Sequence, residues 1–236
     1  MNADDFGQSE GVNDGVRRSH EDGVVTSASL MVRWPAASDA AAYARSTPAL
    51  SVGLHLDLGE WEYLGGEWRA RYEVVPTDNA DTDSGTDVVR AELGRQLDRF
   101  EALVGRPPTH LDSHQHVHRA VPIRRLLAQA GRRLGIPVRD VSPGVAYCGD
   151  FYGQDGNGEP LPDRITVEAL VRVIGSLPAG VTELGCHPAT TDDVEGAYRA
   201  ERLQEVEALC DPRVRAALAA SRVALRSFAS VRSFAS

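Results

Sequence analysis

Cysteine, basic charge and long apolar runs are all scarce in this sequence, and each shortage excludes something. The three cysteines, Cys148, Cys186 and Cys210, are odd in number and far apart with no CxxC pair. That spacing argues against a disulfide framework and a thiolate metal site, and leaves them as small buried hydrophobes. Lysine plus arginine number 25 against 34 aspartates and glutamates, a formal net charge of −9. No basic field gathers phosphate backbones or anionic lipid, so neither nucleic acid nor a membrane surface is expected as a partner. No run approaches the roughly 18 apolar residues of a membrane span. The N-terminus carries acidic residues where a signal peptide has lysines, so the cytoplasm is the expected location.

With 236 residues, 42% apolar and 25% charged, the chain can bury a large core and reads as one domain over 1–236. Helical and β-branched stretches alternate along it. Ser9 to Asp22 predicts a helix stopped by Gly23, and Val24 to Val32 a strand. Ala36 to Arg45 predicts a second helix, and Leu50 to Leu56 a strand carrying His55. Val89, Leu93, Leu97, Phe100 and Val104 recur at helical spacing, predicting a helix from about Thr86 that ends at Gly105. Val121 to Leu134, Thr166 to Leu177 and Asp193 to Leu209 predict further helices. The remaining strands are expected after Pro107-Pro108 and at Ile136 to Arg139, Val181 to Cys186 and Val223 to Phe228. Strands separated by helices imply parallel pairing, hence an α/β fold that is either a (β/α) barrel or a doubly wound sheet. Both place active sites at the carboxyl ends of strands. His55 closes one strand, Asp112 to His118 another, and His187 follows a third, which implies one shared site at one rim.

Four of the seven histidines, His110, His114, His116 and His118, fall within nine residues. Buried imidazoles need hydrogen-bond partners and such a cluster would compete for them, which makes metal ligation the natural alternative to a polar face. In an extended segment all four would face one way together with Asp112, one as ligand and the others lining or orienting the pocket. Asp4-Asp5 ahead of Phe6-Gly7 and His55 after Gly53-Leu54 offer further donors. Adjacent residues on an extended chain face opposite ways, so one aspartate suits the metal and the other suits proton transfer. Taken singly, each has a plain rival: a solvated turn for the aspartates, a hydrogen-bonded structural role for His55 or His187. Their joint appearance carries the argument.

These residues resemble the YdjC-like carbohydrate deacetylases, the family that includes chitooligosaccharide deacetylase. The likeness lies in Asn2-Ala3-Asp4-Asp5-Phe6-Gly7, Gly53-Leu54-His55-Leu56, Thr109 to His118 and Glu183-Leu184-Gly185-Cys186-His187-Pro188. It implies a (β/α) barrel-like fold related to polysaccharide deacetylases and a divalent ion, commonly magnesium, on Asp5, His55 and His114. It further implies Asp4 as general base, His187 as general acid, an N-acetylated sugar or short oligosaccharide as substrate, and a homodimer. By ligand type alone two imidazoles favour zinc, so both magnesium and zinc stay open. Members of the family carry a short apolar strand ahead of the first motif. Here only Met1 precedes Asn2, so the first strand is expected to be missing or a stub, and either the true start lies upstream or Asp4 and Asp5 are held less rigidly than usual.

Two rival functions use the same pocket: a metal-dependent phosphoester hydrolase, which would want arginine clamps and has only Arg119 beside the cluster, and a non-catalytic sugar- or metal-binding protein. Trp61, Tyr63 and Trp68 are expected to pack a loop, with stacking on sugar faces as the second reading. Pro76 to Thr86 is polar without periodicity and reads as an exposed loop, not a calcium loop, since the EF-hand glycine and glutamate positions are absent. Arg226 to Ser230 is repeated at Arg232 to Ser236, a duplication too short to be a structural repeat.

Overall fold

In the computed structural model of the protein, the described residues are 1–76 and 82–231. Six parallel strands form the main sheet: β1 (Asn2–Phe6), β2 (Ser27–Leu30), β3 (Ser51–Leu56), β6 (Leu111–Ser113), β7 (Val145–Cys148) and β8 (Val181–Cys186), in the order β6-β3-β2-β1-β8-β7. Every neighbouring pair is parallel. The order is cyclic in the chain direction, 7-8-1-2-3-6, which is the neighbour pattern of a barrel and not the reversing pattern of a doubly wound sheet. The ring stays open beyond β6, where Val138 adds a single parallel bridge to Leu111. The architecture is therefore a parallel half-barrel clothed in helices.

Local chemistry explains the helices. α1 (Glu10–Glu21) starts where the Ser9 hydroxyl accepts from the Val12 amide, and buries Val12, Val16 and Ser19 against the sheet. α2 (Ala37–Ser46) buries Ala37, Ala40, Ala41 and Ala44, small residues that let it lie close to the strands. α3 (Asp83–Val104) is capped by Thr82 and stopped by Gly105 in the left-handed region at φ +76°. α4 (Val121–Leu134), α5 (Val167–Ser176), α6 (Ala200–Cys210) and α7 (Pro212–Ala220) complete the coat. Among the described residues no helix is long and apolar enough to cross a membrane.

Several expectations are corrected. The first strand is present: the Asn-Ala-Asp-Asp-Phe motif itself forms β1, buried throughout and paired on both sides through Asn2 and Ala3. Its aspartates are not loosely held, because each grips a buried arginine. Ile136 to Arg139 makes one bridge and no strand. Val223 to Phe228 does not pair either. It crosses the amino ends of β2 and β3, where the Phe228 and Ala229 amides donate to the Ser27 and Ser51 hydroxyls. An antiparallel hairpin, β4 (Gly59–Leu64) with β5 (Glu67–Glu73), stands where only loop packing was expected. The helix expected from Asp193 begins at Ala200, and α7 follows it unannounced. Of the expected loop at 76–86, residues 77–81 lie outside the described residues, and the stretch from Asp83 on belongs to α3. The second copy of the C-terminal duplication also lies outside them.

The histidine segment is not extended. After β6 the chain turns into a 3-10 helix at His114–Arg119, in which Gln115 and His116 take positive φ values of +48° and +53°. The four imidazoles therefore do not share one face, although His116 and His118 stay edge to face at 5.7 Å.

Candidate metal centre

β1, β3 and the turn after β6 deliver Asp5, His55 and His114 to one point on the carboxyl rim. Asp5 sits at φ +63°, in the left-handed region, which breaks the alternation of β1 and lets neighbouring carboxylates serve one cavity. Its Oδ1 lies 3.0 Å from His114 Nδ1 and 3.3 Å from His55 Nε2. The donor atoms of the three residues all fall within 4.8 Å of one another. A divalent ion about 2.1 Å from each donor separates neighbouring donors by roughly 3 Å, so this spacing suits an ion.

Each donor has an outer partner. Asp5 Oδ2 accepts from Arg202 Nη2 at 2.6 Å. His55 Nδ1 meets Asp112 Oδ1 at 2.7 Å, leaving Nε2 toward Asp5. His114 Nε2 faces Glu60 Oε2 at 3.5 Å. A carboxylate behind a ligating imidazole fixes its tautomer and raises its basicity.

The charges are out of balance. Asp4, Asp5, Asp112 and Glu60 are buried around the rim, against Arg139 and Arg202. Burial pushes the Asp5 carboxyl up, but Arg202 and His114 outweigh it and hold it well below the usual range. Burial likewise disfavours charge on His55 and His114, yet their carboxylate neighbours raise them to about 10 and about 9. A site that draws protons onto two imidazoles is short of positive charge, and a divalent cation supplies it. The residues thus fit an ion.

Asp4 lies beside this set. Arg139 grips it in a bidentate fork, Nη1 to Oδ2 at 2.6 Å and Nη2 to Oδ1 at 2.7 Å. The same guanidinium reaches Asp112 at 2.8 Å and Glu183 at 2.6 Å, so it ties β1, β6 and β8 together inside the half-barrel. His187, just after β8, places Nε2 3.8 Å from Asp4 Oδ2. Burial pushes His187 down to about 4, so it is neutral near pH 7. Behind it Glu205 accepts from the His187 amide and from the Tyr198 hydroxyl, and burial raises it to about 8.

The other histidines have structural partners. His110 lies toward the amino end of the half-barrel, meets the Ser29 hydroxyl and stacks on Phe228 at 3.9 Å. His118 meets Ser113 Oγ at 2.6 Å, and His116 approaches the Tyr147 hydroxyl at 3.3 Å. Trp61 is half-buried and its backbone pairs with the Gln115 amide, whereas Trp68 is 57% exposed and touches Tyr63 edge-on at 5.6 Å. Packing therefore describes Trp61 but not Trp68. Arg139, Arg202, Glu60 and Glu205 were not foreseen. Their signal was weak, because a lone Arg or Glu in a strand end or helix reads as solvated.

The buried histidines make a pH prediction. Burial holds His110 and His118 near 4, His187 near 4 and His116 near 3, against an ordinary 6.5. Their contribution to stability is complete above pH 6.5 and is lost as pH falls toward 4. Glu183 and Glu205, raised to about 7 and about 8 by burial, act oppositely in that window. His55 and His114, raised to about 10 and about 9, join the glutamates as pH nears 6.5, so unfolding takes up about two protons near pH 5 and none near 6.5. The melting temperature of chelator-treated protein should fall as pH drops from about 5.5 to 4.5; a flat profile there would contradict the neutral burial of these imidazoles.

The sequence model of the YdjC-like protein family matches residues 1–220. A chitooligosaccharide deacetylase from Serratia marcescens is 33% identical over 97% of this chain and 96% of its own. A carbohydrate deacetylase from Geobacillus stearothermophilus is 34% identical over 97% and 95%. Among solved structures, an Enterococcus faecalis protein provisionally assigned to cellobiose-phosphate cleavage superposes with a TM-score of 0.77 at 25% identity, covering 98% of this chain and 97% of that one. A family 4 carbohydrate esterase from Streptomyces lividans shares the fold, with a TM-score of 0.53 at 16% identity over 99% and 95%. Fold, motif positions and relatives agree: the chain belongs to the YdjC-like family.

Proposed function

We propose that the protein is a metal-dependent hydrolase that removes the acetyl group from an N-acetylated sugar or short oligosaccharide of the chitooligosaccharide type. The observation that carries this reading is the meeting of Asp5, His55 and His114 within one ligand sphere, with Asp4 and His187 beside it. The names of the relatives supply the substrate class.

Asp5, His55 and His114 would hold one divalent ion, magnesium or zinc, and two imidazoles with one carboxylate lean toward zinc. Such an ion supplies Lewis-acid polarisation of the amide carbonyl and acidifies a water molecule. Arg139 keeps Asp4 ionised and fixes its orientation, so Asp4 is ready to accept a proton from the attacking water. His187 starts neutral and must gain a proton before it can act as an acid. Asp4 at 3.8 Å is the group placed to pass one on. Protonation of the departing nitrogen by His187 lets the carbon–nitrogen bond break, giving acetate and the free amine.

A phosphoester hydrolase fits less well. Arg139 and Arg202 are both engaged with carboxylates, and Arg119 is half-exposed and paired with Asp140 at 2.8 Å. No free cationic clamp stands over the rim among the described residues. The test is to load the chelator-treated protein with zinc or magnesium, add N-acetylglucosamine oligomers and measure free acetate. Release should depend on the ion; equal release with and without chelator would end the proposal.

A further inference from the structure

The outer partners of the three donors differ in one respect. Arg202 and Asp112 make short hydrogen bonds to Asp5 and His55, whereas Glu60 stands 3.5 Å from His114 Nε2 with both atoms buried and unpartnered. Leaving a buried carboxylate oxygen and a ring nitrogen unsatisfied is costly, and two such atoms facing one another imply a contact not yet closed. A shift of about 0.6 Å brings the pair to ordinary hydrogen-bond length.

The chemistry of imidazole decides the direction. His114 turns Nδ1 toward Asp5 Oδ1, at 3.0 Å. A ring that gives the Nδ1 lone pair to an ion must carry its proton on Nε2, and a buried N–H needs an acceptor. The surroundings hold Glu60 where it can serve. A side chain at Gly196 would strike Glu60 Oε1, so the bare glycine makes room for this carboxylate. On the other side, Trp61 and Gln115 exchange two hydrogen bonds of 2.8 Å, which clamp β4 to the turn carrying His114.

Resting on the metal-bound reading of Asp5, His55 and His114, we infer that Glu60 is a positioning residue: its carboxylate accepts the Nε2 proton of His114 and presents Nδ1 to the ion. Glu60 thereby does for His114 what Asp112 does for His55. Because Glu60 sits on the hairpin that ends in the exposed Trp68, the orientation of a metal donor depends on a surface element and not only on the barrel.

The test uses chelator-treated full-length protein, zinc titration by competition calorimetry, and thermal melting without metal. Glu60→Ala should weaken zinc binding by roughly 10- to 100-fold, the usual effect of removing an outer partner. Glu60→Gln should recover part of the loss, since its amide oxygen accepts the same proton, and Glu62→Ala on the same strand should bind as wild type. Without metal, Glu60→Ala should change the melting temperature little, because the contact it removes is still open, at 3.5 Å with Oε2 unpartnered. A merely structural role predicts the reverse pairing, lower melting with unchanged zinc affinity. Zinc affinity of Glu60→Ala within about twofold of wild type overturns the inference while leaving the metal site standing. Failure of the wild type itself to bind zinc, or wild-type affinity in His55→Ala, overturns the underlying metal reading instead.

Discussion

Replacing Asp4 with Asn is expected to lower acetate release by roughly 100- to 10,000-fold, the range that a proton-transfer group contributes, while zinc binding persists. Asp4 is not a donor of the Asp5–His55–His114 set, so the ion keeps its ligands. Removing one partner of a buried pair is destabilising, but Arg139 retains Asp112 and Glu183, which limits the loss. Melting and zinc titration on the same variant separate a chemical defect from an unfolded one. A folded Asp4→Asn protein with wild-type turnover would remove Asp4 from the mechanism. A wild-type protein that binds zinc and sugar without releasing acetate would mark a binding module.

His55→Ala is expected to abolish metal-dependent turnover and to weaken zinc by more than the roughly 10- to 100-fold typical of an outer partner. The His55 ring lies between two carboxylates, 3.3 Å from Asp5 and 2.7 Å from Asp112. Its removal deletes a donor and leaves those like charges facing one another, so the metal-free variant should also melt lower than wild type. Zinc should not rescue that melting temperature, whereas it should raise that of the wild type by binding only the folded state. A His55→Ala protein still stabilised by zinc to the wild-type extent would show that the ion sits elsewhere.

The candidate donors could be named because three motifs converge on one rim and resemble a known family; the residues alone did not choose between Asp4 and Asp5 or among the four clustered histidines. Alternation of helix and strand patterns was enough for the parallel architecture, and Gly105 and Gly135 marked helix ends at φ +76° and +70°. What escaped was set by tertiary contacts. The turn at Gln115 and His116 needs left-handed backbone from residues that seldom adopt it, so the histidine run reads as extended until it is seen folded. The hairpin had a usable signal in Gly65-Gly66, both at positive φ between alternating aromatic and charged residues, a pattern that favours a tight hairpin turn. Arg139 and Arg202 look like ordinary surface arginines in sequence. Only the fold shows each sealed against an aspartate of the first motif.

The most direct measurement is a crystal structure of the zinc-loaded protein with the ion located by its anomalous scattering. One ion is predicted, with Asp5 Oδ1, His55 Nε2 and His114 Nδ1 each about 2.0–2.2 Å away. An ion bound to other side chains, or these three donors turned apart around empty density in crystals soaked with zinc, would contradict the account.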